Sequence, residues 1–145
     1  MTFLKLIRGA AVAATLTLST LAPAHAADDA LFLGLGGKAG IHQIVNTFVP
    51  LVLADPRIKE TFSDSDMKHV AARLEEQFCA LSGGPCVYGG EPMKETHSGL
   101  KITNAQFNAL AENLQIAMEK NGVAASMQNR LVAKLAPMQR DIVTK

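Results

Sequence analysis

The chain has 145 residues, which suits a single domain, and 48% of them are hydrophobic, which excludes a disordered chain. Aromatic residues make up 5% and Trp is absent, a mix that favours helix over strand when Ala, Leu, Met, Glu, Lys and Gln are common. A formal net charge of +1 leaves no basic footprint for nucleic acid.

Residues 1–26 read as a secretory signal peptide. Lys5 and Arg8 form a basic start, and Gly9–Leu21 is an apolar run broken only by Thr and Ser. Pro23 and Ala24-His25-Ala26 then supply a small-residue cleavage site. The run is short for a membrane span, and an uncleaved N-terminal anchor is the alternative. The expected mature domain is residues 27–145, periplasmic or secreted, with no membrane span after cleavage.

Asp28–Gly37 is a short apolar stretch that allows only a brief helix. From Gly40 to Ala54, apolar residues at Ile41, Ile44, Val45, Phe48, Val52 and Leu53 recur at steps of three and four, the signature of a helix. Pro50 inside it removes a backbone hydrogen bond, so a bend is expected there. Asp55-Pro56 ends the helix. Ser63–Asp66 suits a helix cap, and behind it Met67, Val70, Leu74, Phe78 and Leu81 mark the clearest amphipathic helix of the chain. Ser82-Gly83-Gly84-Pro85 stops it.

Cys79 and Cys86 are the only cysteines. Export permits a bridge between them, worth about 2–3 kcal/mol on chain-entropy grounds. Two free thiols, one of them buried, are the alternative. The stretch to Glu91 reads as loop, and Pro92 opens a short helix through His97. Thr103 with Gln106 fits a capping box ahead of a helix with Phe107, Leu110, Ala111, Leu114 and Met118 on one face. Asn121-Gly122 closes that helix. A last helix spans about Ala124 to Ile142, bent by Pro137. No stretch alternates as a strand would, so the expected fold class is all-α.

Of the histidines beyond the leader, His42 sits near a helix start and is expected to face water, and His69 lies beside the apolar face of its helix. His97 ends a short helical segment between a glycine-rich loop and Gly99-Leu100-Lys101-Ile102. A neutral imidazole there suits a transition metal or haem iron, although spacing alone does not separate a ligand from a structural histidine. A zinc site needs three or four ligands at useful spacing, and these are not present. Asp64, Asp66 and His69 lack the calcium-loop pattern. No nucleophile elbow, phosphate loop or catalytic carboxylate pair stands out.

The order of residues says more. Val52-Leu53-Ala54-Asp55-Pro56-Arg57, then Phe62, Asp66-Met67, Phe78, Gly83-Gly84-Pro85, Tyr88, Gly90, Met93, His97, Ile102-Thr103, Phe107, Leu114 and Gly122-Val123 resembles the group 1 truncated haemoglobins from about Leu35 to Val143. The resemblance implies a truncated globin fold, two helices packed on two, around haem b. It implies His97 as the proximal iron ligand, Phe62 packed on the haem and Phe78 lining a ligand tunnel. Met93, Leu100, Ile102, Phe107 and Leu110 would form pocket walls, with Lys94 and Thr96 as propionate partners.

The distal side departs from the family. Val49, followed by Pro50, stands where many relatives carry tyrosine, and Val70 and Leu74 stand where many carry glutamine or another polar residue. Gln77 is the nearest polar side chain and is not expected to reach the iron. A hydrogen bond to a strongly polar ligand is worth about 1.5–3 kcal/mol. Its loss weakens O2 binding roughly 10- to 100-fold, with less effect on CO and NO. Rapid O2 release, a low ratio of O2 to CO affinity and ready oxidation to ferric haem are therefore expected. Met138 lies near the histidine that bonds a haem vinyl in some relatives, so non-covalent haem is expected. Arg73 occupies the place of a distal histidine ligand, so five-coordinate ferrous iron is expected, with His69 the one neighbour able to contradict this.

The function so implied is reversible binding of O2, CO or NO by an exported haem protein, in gas delivery, NO removal or sensing, rather than dedicated catalysis. NO dioxygenase or weak peroxidase turnover is left open. The alternatives are a haem-free exported helical binding module, and a periplasmic electron-transfer or NO-detoxifying haem protein. No redox partner is indicated.

Overall fold

Residues 29–145 are described by the structure, a computed structural model; the expected signal peptide lies outside them. In chain order the helices are α1 (Ala30–Gly34), α2 (Gly37–Ala54), α3 (Met67–Leu81), α4 (Met93–Thr96), α5 (Asn104–Lys120), α6 (Ala125–Leu135) and α7 (Gln139–Ile142). Two 3-10 turns, Lys59–Phe62 and Ala136–Met138, complete the order. No strand occurs among the described residues beyond an isolated parallel bridge between Ile102 and Val143.

The local signals account for the boundaries. Gly36 and Gly37 have φ of 85° and 65°, a left-handed corner that lets α2 begin at Gly37, earlier than periodicity alone places it. A Cβ on Gly40 would collide with the Leu35 carbonyl, so only glycine fits against that corner. α2 runs on through Pro50, which is exposed, and ends at the expected Asp55. The Asp66 carboxylate caps α3, accepting from the backbone N–H of Lys68 and His69. Thr103 and Gln106 make the capping box on α5. At Pro137 the last helix does not merely bend; it is split into α6, a 3-10 turn and α7.

α2 packs on both α3 and α5, and α5 packs on α6, which gives the expected two-on-two arrangement. Ile41, Ile44, Val45, Phe48 and Val52 of α2 bury one face against Phe78 of α3 and Leu114, Ala117 and Met118 of α5. Each such side chain contributes roughly 1.5–3 kcal/mol relative to exposure. The turn after α2 is pinned to α5 by charge. Asp55 accepts from Arg57 Nη2 at 2.8 Å and Asn113 Nδ2 at 2.7 Å, and Arg57 Nη1 lies 2.7 Å from Glu112 Oε2. The hydrogen bonds from Arg57, side chain and backbone, and from Asn113 hold the Asp55 carboxyl well below the usual carboxylate range.

Cys79 and Cys86 form the expected disulfide, with Cα atoms 5.8 Å apart. It ties the C-terminal turn of α3 to the loop that leads to α4.

Candidate functional site

The apolar faces of α2, α3 and α5 do not close on each other completely. They leave a cavity of about 340 Å³, bounded on its remaining side by α4 and the α6–α7 segment. That volume falls in the range of sites that hold small organic ligands. One wall is Val49 of α2 with Val70, Leu74 and Phe78 of α3; Phe107, Leu110 and Leu114 of α5 form the floor. Polar groups gather at the rim, where Arg73, Tyr88, Glu91 and Thr96 lie.

His97 is brought to this cavity by α4. Pro92 opens that helix and His97 caps its end, half-buried. The imidazole Nδ1 lies 2.8 Å from the Met93 carbonyl oxygen. A carbonyl only accepts, so Nδ1 carries a proton, and in the neutral ring Nε2 keeps its lone pair. Nε2 has no hydrogen bond among the described residues, and the ring lines the cavity. This is the form in which a histidine binds a metal, with its second nitrogen fixed by the backbone.

The rim is built from α3 and the disulfide-tied loop. Arg73 Nη1 pairs with Glu76 Oε2 at 2.8 Å, and the same oxygen accepts from the Gly89 backbone N–H at 3.1 Å. The Tyr88 hydroxyl and Thr96 Oγ1 both donate to the Glu91 carbonyl, at 3.1 and 3.3 Å. Burial pushes the Tyr88 hydroxyl pKa up. Arg73 Nε, by contrast, is buried with no partner among the described residues. A buried guanidinium N–H without an acceptor costs stability, and a carboxylate at the rim would satisfy it.

Haem b is the cofactor that the sequence resemblance implies. It needs apolar walls, a neutral imidazole and donors for two carboxylates. The apolar lining, the His97 tautomer and the orphaned Arg73 Nε each meet one of those needs.

Most of the site residues expected from sequence converge here. Phe62, Val70, Leu74, Phe78, Met93, Thr96, His97 and Phe107 all line the cavity. Three do not. Lys94 is exposed, and Leu100 is 47% exposed. Ile102 is buried away from the cavity, engaged in the bridge with Val143. For Leu100 and Ile102 the cause is the adjoining backbone, where Gly99 and Lys101 take φ of 79° and 54° and turn the chain off the cavity.

The other histidines stand apart. His42 is exposed on α2 and bonds Glu75 and Asn46. His69 is exposed at the rim. Gln77 is buried instead, and its amide Nε2 faces Met93 Sδ at 3.5 Å and Met138 Sδ at 3.8 Å. No group of three His, Cys, Asp or Glu residues able to hold a metal occurs among the described residues. No described helix is long and apolar enough to cross a membrane.

Comparison with known proteins agrees with this geometry. Residues 30–144 match the family model of the bacterial-like globins. A group 1 truncated haemoglobin of Tetrahymena thermophila is 34% identical over 115 residues, covering 79% of this chain and 95% of the relative. One from Mycolicibacterium paratuberculosis is 32% identical over 110 residues, covering 76% and 81%. Among solved structures, the Fe(III) form of truncated haemoglobin from Tetrahymena pyriformis superposes with a TM-score of 0.76 at 31% identity, over 79% of this chain and 98% of that one. A Synechococcus 2/2 haemoglobin in the cyanomet state, with covalently attached haem, gives a TM-score of 0.74 at 26% identity, over 79% and 98%.

Proposed function

We propose that this chain, which belongs to the bacterial-like globin family and within it to the group 1 truncated haemoglobins, is an exported protein that holds haem b through His97 and takes diatomic gases. The observation that carries the reading is the His97 imidazole, which donates from Nδ1 to the Met93 carbonyl and lines an apolar cavity with Nε2 left for a ligand bond. His97 Nε2 would hold the iron of a bound haem b, which would supply a metal centre able to bind O2, CO or NO.

The chain's own residues set what that site favours. Val49, Val70 and Leu74 present no hydrogen-bond donor, which disfavours O2 relative to CO and NO. Gln77 spends its amide on two thioethers. Arg73 is engaged by Glu76, and its buried Nε, without a partner among the described residues, would with Thr96 hold a haem carboxylate rather than approach the iron. These features support a five-coordinate ferrous iron with haem held non-covalently. The basic start, apolar run and Ala24-His25-Ala26 site support export, as does the disulfide.

The deciding experiment is the absorption spectrum of the purified protein in ferric, dithionite-reduced and CO-bound states, beside His97→Ala. A strong Soret band that shifts with CO and is lost or altered in the variant supports the reading. No Soret band, even after added haemin, overturns it in favour of a haem-free helical binding module.

A further inference from the structure

The segment that carries His97 does not hold itself in place. α4 is a single turn of four residues, too short to be stable alone. Among the described residues, the backbone hydrogen bonds of residues 92–101 all close within that stretch, and Thr96, Ser98, Gly99, Leu100 and Lys101 are exposed. Lys101 adds strain, with φ of 54° in the left-handed region at a residue that carries a Cβ. Such a conformation persists only where its surroundings fix it. What fixes it is the stretch that follows α7. The Ile102 carbonyl oxygen accepts from the backbone N–H of Thr144 at 3.0 Å and of Lys145 at 3.2 Å. Ile102 is buried beside Val143, its bridge partner. α7 itself packs on α4, and Gln139 Nε2 donates to Asn104 Oδ1 at 2.7 Å. Residues 139–145 thus grip the chain on both sides of His97, before it at α4 and after it at Ile102 and Asn104.

We propose that residues 143–145 are a strap that positions the His97 imidazole. By holding the Ile102 carbonyl they keep the turn at Gly99–Lys101, and that turn keeps α4 and the bond from His97 Nδ1 to the Met93 carbonyl in register. Val143, Thr144 and Lys145 do not line the cavity, so they act through the backbone and not as ligands. The inference rests on the haem reading only for its spectroscopic outcome.

The test compares the native sequence with a chain stopped after Val143, which loses both donors, with Thr144→Pro, which loses one, and with Thr144→Ala, which keeps both. Proline is compatible there because Val143 is already extended, with φ of −81° and ψ of 117°. The first readout is hydrogen exchange by NMR at the backbone N–H of His97 and Leu100, which bond Met93 and His97 and not the strap. Exchange at both should quicken about tenfold in the shortened chain, the effect of losing two hydrogen bonds, with α2 and α3 unchanged. Thr144→Pro should show a smaller effect and Thr144→Ala none. The second readout is the resonance Raman spectrum of the reduced, haem-loaded protein, in which the iron–histidine stretching band should shift or broaden in the same order. Native exchange at His97 and Leu100 in the shortened chain overturns the proposal. So does equal quickening throughout α2 and α3, which marks a general loss of stability, and so does faster exchange beside an unchanged iron–histidine band. A native protein with no Soret band overturns the haem reading instead, and the exchange rates then decide the strap alone. Should the shortened chain fail to fold, Thr144→Pro against Thr144→Ala makes the same comparison.

Discussion

His97 Nδ1 meets the Met93 carbonyl oxygen at 2.8 Å, one turn earlier in a helix of four residues, so the imidazole is fixed by backbone rather than by a side chain. Met93→Leu keeps that carbonyl. It should therefore preserve the Soret band and its CO shift in the reduced spectrum. A Met93→Leu protein that lost the band would show that the methionine side chain, and not the carbonyl, orients the ring.

The apolar distal wall predicts weak retention of O2. Val49→Tyr places a hydroxyl donor on α2 at the cavity wall. Stopped-flow displacement by CO should then show O2 release slowed roughly 10- to 100-fold, the kinetic equivalent of about 1.5–3 kcal/mol. CO association should change far less. An unchanged O2 off-rate would mean that another group already supplies the donor.

The disulfide anchors to α3 the start of the segment that leads to Tyr88 and Glu91 at the rim. Cys79→Ala with Cys86→Ser should lower unfolding free energy by about 2–3 kcal/mol in urea denaturation. Transfer of haem to an apoglobin acceptor should also quicken, because the rim loop loses its tether. Loss of stability without faster haem transfer would confine the bridge to a folding role.

Asp55 makes stability depend on acid. Its carboxyl titrates below its unfolded value, about 3.9, because Arg57 and Asn113 bond its charged form. At neutral pH that stabilisation is fully present. As pH falls below about 4, the unfolded chain takes up the proton first, and the stabilisation is lost progressively down to the lower folded value. Asp55→Asn should thus be less stable than the native sequence at pH 7, and the gap should narrow in acid denaturation series below about pH 4. A gap independent of pH would show that the pair with Arg57 contributes by packing alone.

The fold was legible where its causes are local. The spacing of Ile41, Ile44, Phe48 and Val52, the Asp66 cap and the Thr103–Gln106 box each act within a few residues of chain. His97 was different: spacing left it ambiguous, and only the order of motifs around it pointed to the iron. Leu100 and Ile102 lie off the cavity because the chain turns at Gly99 and Lys101, and a left-handed Lys101 leaves no trace in hydrophobic periodicity. The partners of Arg73 and Gln77 are a further case. The sequence places both beside the distal pocket but does not say what they bond. Their burial is decided by Glu76 with the Gly89 loop in one case, and by Met93 and Met138 in the other. Those partners come together only once the chain has folded.

The corner between α1 and α2 restricts what this sequence can become. The Leu35 carbonyl that a Cβ on Gly40 would strike belongs to a buried residue whose own N–H is bound to Leu31, so the obstacle cannot step aside. Next to it, Ala39 is exposed and meets no such limit. Random variation filtered for folded protein will therefore spread freely at position 39 and return glycine alone at position 40.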